Sequence, residues 1–200
     1  MEQATPAAAV VALGDSITNA SQTGTNKNRR WTDTLASRLI GSNRSVGVLN
    51  AGIGGNTLVA WGVGPNAQKR FERDVLSQSG VRYVIVMIGI NDIKKNFSAD
   101  SLIAGYRSLI TQARAKGLKI YGATLSPDGR ATNAQETQRQ AVNRWIRTSG
   151  EYDAVIDFDA VLRDPANARR LLPLYDSGDL LHPNNAGNDA MGNAINLSLF

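Results

Sequence analysis

The run Tyr83-Val84-Ile85-Val86-Met87-Ile88 limits what this chain can become more than any other stretch. It is unbroken by polar residues and rich in β-branched side chains. A strand with one wet face alternates apolar and polar residues, and this one does not, so both of its faces are covered. Further apolar runs, two of them broken by one charged residue, lie at Ala7–Leu13, anchored by Val10 to Leu13, and at Val46–Leu49, Leu118–Ala123 and Ala154–Phe158. Helical spacing fills the intervals. Trp31, Leu35, Leu39 and Ile40 share one face before a stop at Gly41, and Phe71, Val75 and Leu76 share another before Gly80. Leu102, Ile103, Tyr106, Leu109, Ile110 and Ala113 follow an acid at Asp100 and end before Gly117. Asn133 and Glu136 resemble a capping box ahead of Ala134, Gln138, Ala141, Val142, Trp145 and Ile146. A short helix is expected over 167–171 and a last one over 184–197. Strand and helix alternate throughout, so the expected fold class is α/β, a three-layer α/β/α sandwich around a five-stranded parallel sheet. Residues 1–8 read as a disordered stub and 9–200 as a single domain.

Composition narrows the function classes. The net charge is +5, but the basic residues are scattered apart from small knots at Lys27-Asn28-Arg29-Arg30 and Arg169-Arg170. A nucleic-acid surface would cluster them into a stripe, so no nucleic-acid partner is expected. No apolar run approaches the ~18 residues of a membrane span. With no cysteine and one histidine, His182, the chain cannot assemble a common zinc site, and disulfides are excluded. No phosphate-cradling glycine pattern is present, so no cofactor is expected. Met1–Ala8 lacks the charged and apolar regions of an intact signal peptide. The segment is read as the remnant of an export sequence or as a plain terminus, with a periplasmic or secreted location expected over a cytoplasmic one.

Chemistry-bearing residues gather in the turns that follow the strands. Gly14-Asp15-Ser16-Ile17 closes the first strand, and Asn50-Ala51-Gly52-Ile53-Gly54-Gly55-Asn56-Thr57 closes the second. Gly89-Ile90-Asn91-Asp92 closes the third, and Asp179-Leu180-Leu181-His182-Pro183 lies in the long connection after the fifth. Strand ends of a parallel sheet share one edge, so these turns can meet there. Ser16 reads as a nucleophile, which requires a base, an orienting acid and an oxyanion site. Asp15 and Asp92 read as hydrogen-bonding braces for their turns, and Asp157 as an outside candidate for the orienting acid.

The four turns, in this order and at this spacing, resemble the conserved blocks of the SGNH hydrolases, also called the GDSL esterase/lipase family. The likeness runs from about Val10 to Leu197, with Ile17 in place of the usual leucine. It implies a flavodoxin-like sheet and a serine esterase. Ser16 would be the nucleophile, His182 the general base and Asp179 its orienting acid. The Ser16 and Gly55 backbone N–H groups and the Asn91 side-chain amide would form the oxyanion hole. Gly54 remains an alternative to Gly55 for that amide. Activity would fall on acidification as the single imidazole takes up a proton.

The stretches Asn50–Asn56, Thr124–Pro127 and Tyr175–Asp179 look similar to a bacterial branch containing carbohydrate O-acetylesterases. The substrate implied is therefore a short-chain ester, on a small molecule or a carbohydrate. Trp61, Phe97 and Leu181 are expected to bind it, with Val63, Ile93, Leu180 and Trp31 as further pocket walls. Two alternatives stand beside this: a lysophospholipase or thioesterase using the same chemistry, and a non-catalytic flavodoxin-like binding module.

Overall fold

Alternate residues of the inner strands point to opposite sides, and each set finds its own helices. In the computed structural model, which describes residues 8–24 and 26–200, β1 (Ala8–Gly14) pairs in parallel with β2 (Val46–Gly52) and β3 (Val81–Met87). Beyond β3 lie β4 (Lys119–Ala123) and β5 (Ala154–Ile156), also parallel, giving the order β2-β1-β3-β4-β5. Val11, Leu13, Val84 and Val86 pack beneath α3 (Ala67–Phe71), α5 (Ala99–Ala115) and α6 (Asn133–Thr148). Val10, Ala12, Ile85 and Met87 pack beneath α2 (Trp31–Gly41), α7 (Phe158–Leu162) and α8 (Asn185–Ala194). Two apolar layers sandwich the sheet, so β1 from Val10 to Leu13 and β3 from Val84 to Met87 are apolar on both faces. Among the described residues no helix is long and apolar enough to cross a membrane.

The order also decides where the site lies. The chain leaves β1 for β2 on one side and then crosses to β3 on the other. The crevice at the carboxyl ends of β2, β1 and β3 is the switch point at which open α/β sheets hold ligands.

Several expectations shift. Ala8, assigned to the terminal stub, is already the first residue of β1, paired with Val46; residues 1–7 lie outside the described residues. The helix turn α1 (Ser16–Asn19) opens directly at Ser16. Ile40 is 73% exposed rather than core. The helix containing Phe71 and Val75 widens into a π-turn over Glu72–Leu76, which keeps both side chains buried. The cap of α6 lies one residue earlier than expected: Thr132 and Gln135 hydrogen-bond reciprocally, while Glu136 is held by Arg139 at 2.8 Å.

The expected helix over 167–171 is a strand, β7 (Asn167–Leu171), antiparallel to β6 (Arg163–Asp164). Asp164 turns the chain by accepting from the Ala166 N–H at 2.8 Å, and Leu171 is buried. The last helix stops at Ala194, and a 3-10 turn follows at Leu197–Leu199.

Candidate active site

Ser16 stands at the first position of α1, on the corner where β1 ends. The corner is tight: a Cβ on Gly14 would lie 2.0 Å from Thr18 Oγ1 and 2.8 Å from the Met87 carbonyl, so only glycine fits. Buried Asp15 caps the corner by accepting from the Ile17 N–H at 3.0 Å. Burial, aided by the negative charge of Asp92, pushes the Asp15 carboxyl up to about 7, although the Ile17 hydrogen bond works against this.

Ser16 Oγ lies 2.8 Å from His182 Nε2. On the far side of the ring, His182 Nδ1 lies 2.5 Å from Asp179 Oδ2. A carboxylate can only accept, so Nδ1 carries the proton and Nε2 offers its lone pair to the serine hydroxyl. Asp179 Oδ1 accepts from the Leu181 and His182 N–H groups at 3.0 and 2.8 Å. Partial burial alone would raise the Asp179 carboxyl. The hydrogen bonds from the His182 ring and from the two backbone amides outweigh it and hold Asp179 well below the usual carboxylate range. Asp179 therefore stays ionised, which fixes the tautomer of the His182 ring. Asp157, the outside candidate for this place, is bound instead by Arg147 at 2.7 and 2.8 Å and by the Thr124 hydroxyl.

The connection bearing Asp179 and His182 is pinned at several points. Asp176 Oδ1 accepts from Gly178 and Leu180, and the Asn184 amide donates to the Leu174 and Asp176 carbonyls. Buried Asn188 takes the Trp31 N–H at 3.1 Å and donates to the carbonyls of Pro183 and Asn184. Leu180, between Asp179 and His182, is held at φ +67°, a left-handed conformation rare for a branched side chain.

Because β1 lies between β2 and β3, Ser16 is flanked by the turns that carry Gly55 and Asn91. Gly55 has φ +72°, and a Cβ there would come within 2.9 Å of Val63 Cγ2. Gly54 has open space at the same test and no such requirement. Asn91, on α4 (Ile90–Lys94), donates one amide hydrogen to the Asn56 carbonyl at 2.9 Å, which orients the amide and leaves its other hydrogen available. Asp92 accepts from the N–H groups of Leu58, Val59 and Ala60 at 2.7, 2.9 and 2.8 Å. The chain from Gly55 to Ala60 is thus strapped to the end of β3.

The expected pocket walls divide. Trp61 is 79% exposed, with the Lys95 ammonium 3.8 Å from its ring centroid on one face. Val63 and Leu180 are exposed, while Phe97 is half-buried and packs against the core. Leu181 and Ile93 are buried in the two apolar layers, and at Leu181 the left-handed Leu180 backbone turns the side chain inward. Trp31 is buried too, its ring 5.4 Å from that of Phe158. Those three side chains belong to the core. Sequence reasoning did not single out Asn56 or Arg70, which hold the strap. Their signal was faint: Arg70 and Asp74, spaced i, i+4, interrupt the apolar stripe of Ala67, Phe71 and Val75.

A sequence profile of the GDSL-like Lipase/Acylhydrolase family matches residues 12–190. A Bacillus subtilis (strain 168) relative, the uncharacterized esterase YxiM, is 36% identical over 54% of this chain, and the match spans only 31% of that relative's length. Among solved structures, a lipolytic protein of the G-D-S-L family from Desulfitobacterium hafniense DCB-2 is similar at a TM-score of 0.75 and 22% identity, over 93% of this chain and 96% of that one. The acetylxylan esterase Axe2 of Geobacillus stearothermophilus, in a catalytic mutant, is similar at a TM-score of 0.73 and 20% identity, over 96% and 94% of the two chains. The two structures share the fold. The profile spans all four turns, and the chain belongs to the GDSL-like lipase/acylhydrolase family.

Proposed function

We propose that this protein is a serine esterase that removes short acyl groups, and O-acetyl groups on carbohydrate in particular, through an acyl-serine intermediate. The unbroken hydrogen-bonded line from Ser16 Oγ through the His182 ring to Asp179 carries this reading. Ser16 Oγ attacks the ester carbonyl while its proton passes to His182 Nε2. The carbonyl oxygen becomes an oxyanion among the Ser16 N–H, the Gly55 N–H and the Asn91 amide. Collapse breaks the bond to the alcohol, which leaves with the proton held on Nε2. Water then repeats the cycle: it gives a proton to His182, attacks the acyl carbon and frees the carboxylic acid and Ser16.

Two features favour a short acyl group on a sugar. Val63 crowds the side of Gly55, which narrows the space beside the oxyanion. Trp61 keeps one ring face open near the same turn, a surface on which an apolar sugar face can rest. The likeness to the acetylxylan esterase points the same way. Rates over p-nitrophenyl esters from acetate to palmitate, together with acetate release from acetylated xylan, test the proposal against Ser16→Ala as control. We expect the maximum at acetate and release of acetate from the polymer. A maximum at C12 or longer would move the reading to a lysophospholipase or thioesterase, and activity surviving in Ser16→Ala would end it.

A further inference from the structure

A buried charge behind the oxyanion turn takes no part in the acyl chemistry described above. Arg70 projects from α3, is 1% exposed, and hydrogen-bonds inward through every nitrogen of its guanidinium. Nε donates to Asn56 Oδ1 at 3.0 Å, and Nη2 to the Gly14 carbonyl at 2.9 Å. Nη1 donates to the Ala51 carbonyl at 2.8 Å and to Asp74 Oδ2 at 2.9 Å. Gly14 is two residues before Ser16, and Asn56 directly follows Gly55. Asn56 passes the contact on: its carbonyl takes the Asn91 amide, and its own amide donates to the carbonyls of Val63 and Pro65 at 2.8 and 2.9 Å.

We infer that Arg70 is a positioning residue for the oxyanion site, setting the spacing of the Ser16, Gly55 and Asn91 donors before substrate arrives. Docking α3 on the sheet does not call for such a residue. An apolar side chain of similar volume would bury as well without the desolvation penalty of a cation. What an apolar group or a lysine cannot do is hold the ends of β1 and β2 and the Asn56 side chain in one plane, because only the guanidinium offers donors in a rigid fork. Oxyanion donors work because they are fixed in advance, so a group that fixes their spacing acts on turnover rather than on binding.

This inference rests on the esterase reading, and the experiment separates the two. Arg70→Met is compared with wild type on p-nitrophenyl acetate, alone and combined with Asn91→Ala, with folding checked by thermal melting. In Arg70→Met we expect kcat about tenfold to a hundredfold lower, with KM within about twofold, a smaller loss than removing a donor outright. In the Asn91→Ala background the same change should cost less than it does in wild type, because one of the three donors it positions is already gone. Arg70→Lys, which keeps the charge and loses the fork, should regain only part of the activity, and it carries the same cycle if the methionine variant does not fold. Full kcat in a folded Arg70→Met, losses that multiply in full with Asn91→Ala, or complete recovery by lysine would each overturn the inference. Ser16→Ala runs in parallel: activity surviving there sinks the esterase reading itself, whereas its loss beside an unimpaired Arg70→Met sinks only the role of Arg70.

Discussion

Asp92 offers a sharp test of how the chain from Gly55 to Ala60 is held. Its side chain is 0% exposed and accepts from three consecutive backbone amides, Leu58, Val59 and Ala60. Asp92→Ala leaves three donors without an acceptor, two on fully buried residues and one on the half-buried Val59. An orphaned buried N–H costs about 1–3 kcal/mol, so the gross loss is about 5 kcal/mol. Removing a carboxylate whose burial opposed folding returns part of this, for a net destabilisation of about 3–4 kcal/mol. That is within the ~5–15 kcal/mol of an ordinary domain, so the variant should still fold. In urea at neutral pH, with a slope of about 2 kcal/mol per M, the midpoint should fall by about 1.5–2 M. Asp92→Asn keeps Oδ1 for Val59 and Ala60 and turns a donor toward the Leu58 N–H, so it should lie between alanine and wild type. A loss below about 1 kcal/mol in Asp92→Ala would refute the reasoning, because the three amides would then have found water or other partners at no cost. Equal losses in the two variants would show that the charge matters rather than the number of amides it accepts.

Gly55→Ala should lower both stability and kcat: the left-handed φ costs about 1–2 kcal/mol in a non-glycine residue, and the new methyl meets Val63. Adding Val63→Ala should recover only the part due to contact, read as melting temperature and turnover on the same preparations. His182→Ala should reduce turnover about a thousandfold or more, and a nearly intact rate would remove the mechanism. Asp15, pushed up to about 7 from 3.8 by burial, favours its protonated form in the folded state. Its stabilising contribution is full below about pH 4 and is lost as pH rises through about 7. Asp15→Asn, whose Oδ1 can still accept from Ile17, should flatten that decline and melt higher than wild type at pH 8; a variant that melts lower at pH 8 than wild type would overturn this. Asp179 runs in the opposite sense, since its depressed carboxyl contributes stability above the usual carboxylate range that is lost on acidification below it.

The sheet was legible because Val84–Ile88 and Val10–Leu13 carry no polar residue on either face, a pattern that a strand covered on one side cannot support. The elements misread were those decided by distant partners. Asn167-Ala-Arg-Arg-Leu171 has residues at home in a helix, yet burial of Leu171 and the turn at Asp164 fold it back on Arg163. Trp31 stands near the site in sequence, but the Asn188 side chain holds its backbone and the ring turns to Phe158. Leu180 and Leu181 look alike in sequence, and only the positive φ of Leu180 decides which of them faces out. Ser16, Asn91, Asp179 and His182 could be singled out as candidates because the proposed chemistry demands those side chains in those turns. Asn56 and Arg70 could not, because holding backbone carbonyls in place leaves no fixed spacing in the sequence.

The two halves of the site are built with different mechanics. The proposed oxyanion donors come from three short turns at the ends of adjacent strands, tied to one another by Arg70, Asn56 and Asp92 within the edge of the sheet. His182 and Asp179, the proposed base and acid, hang on a long connection that leaves β5 at the far side and returns across the edge to meet Ser16. That connection is held by polar side chains, Asp176, Asn184 and Asn188, that bond its own backbone and the start of α2. An oxyanion hole must be rigid, because its contribution lies in donors that do not reorganise as charge develops. The base must swing between serine, leaving alcohol and water, each within hydrogen-bond reach of the same nitrogen. Mounting the donors on the sheet and the imidazole on a tethered loop meets both demands. On the proposed mechanism, changes to Asp176 or Asn184 should act mainly on the meeting of His182 with Ser16, whereas changes to Asp92 or Arg70 should act on the stabilisation of the oxyanion.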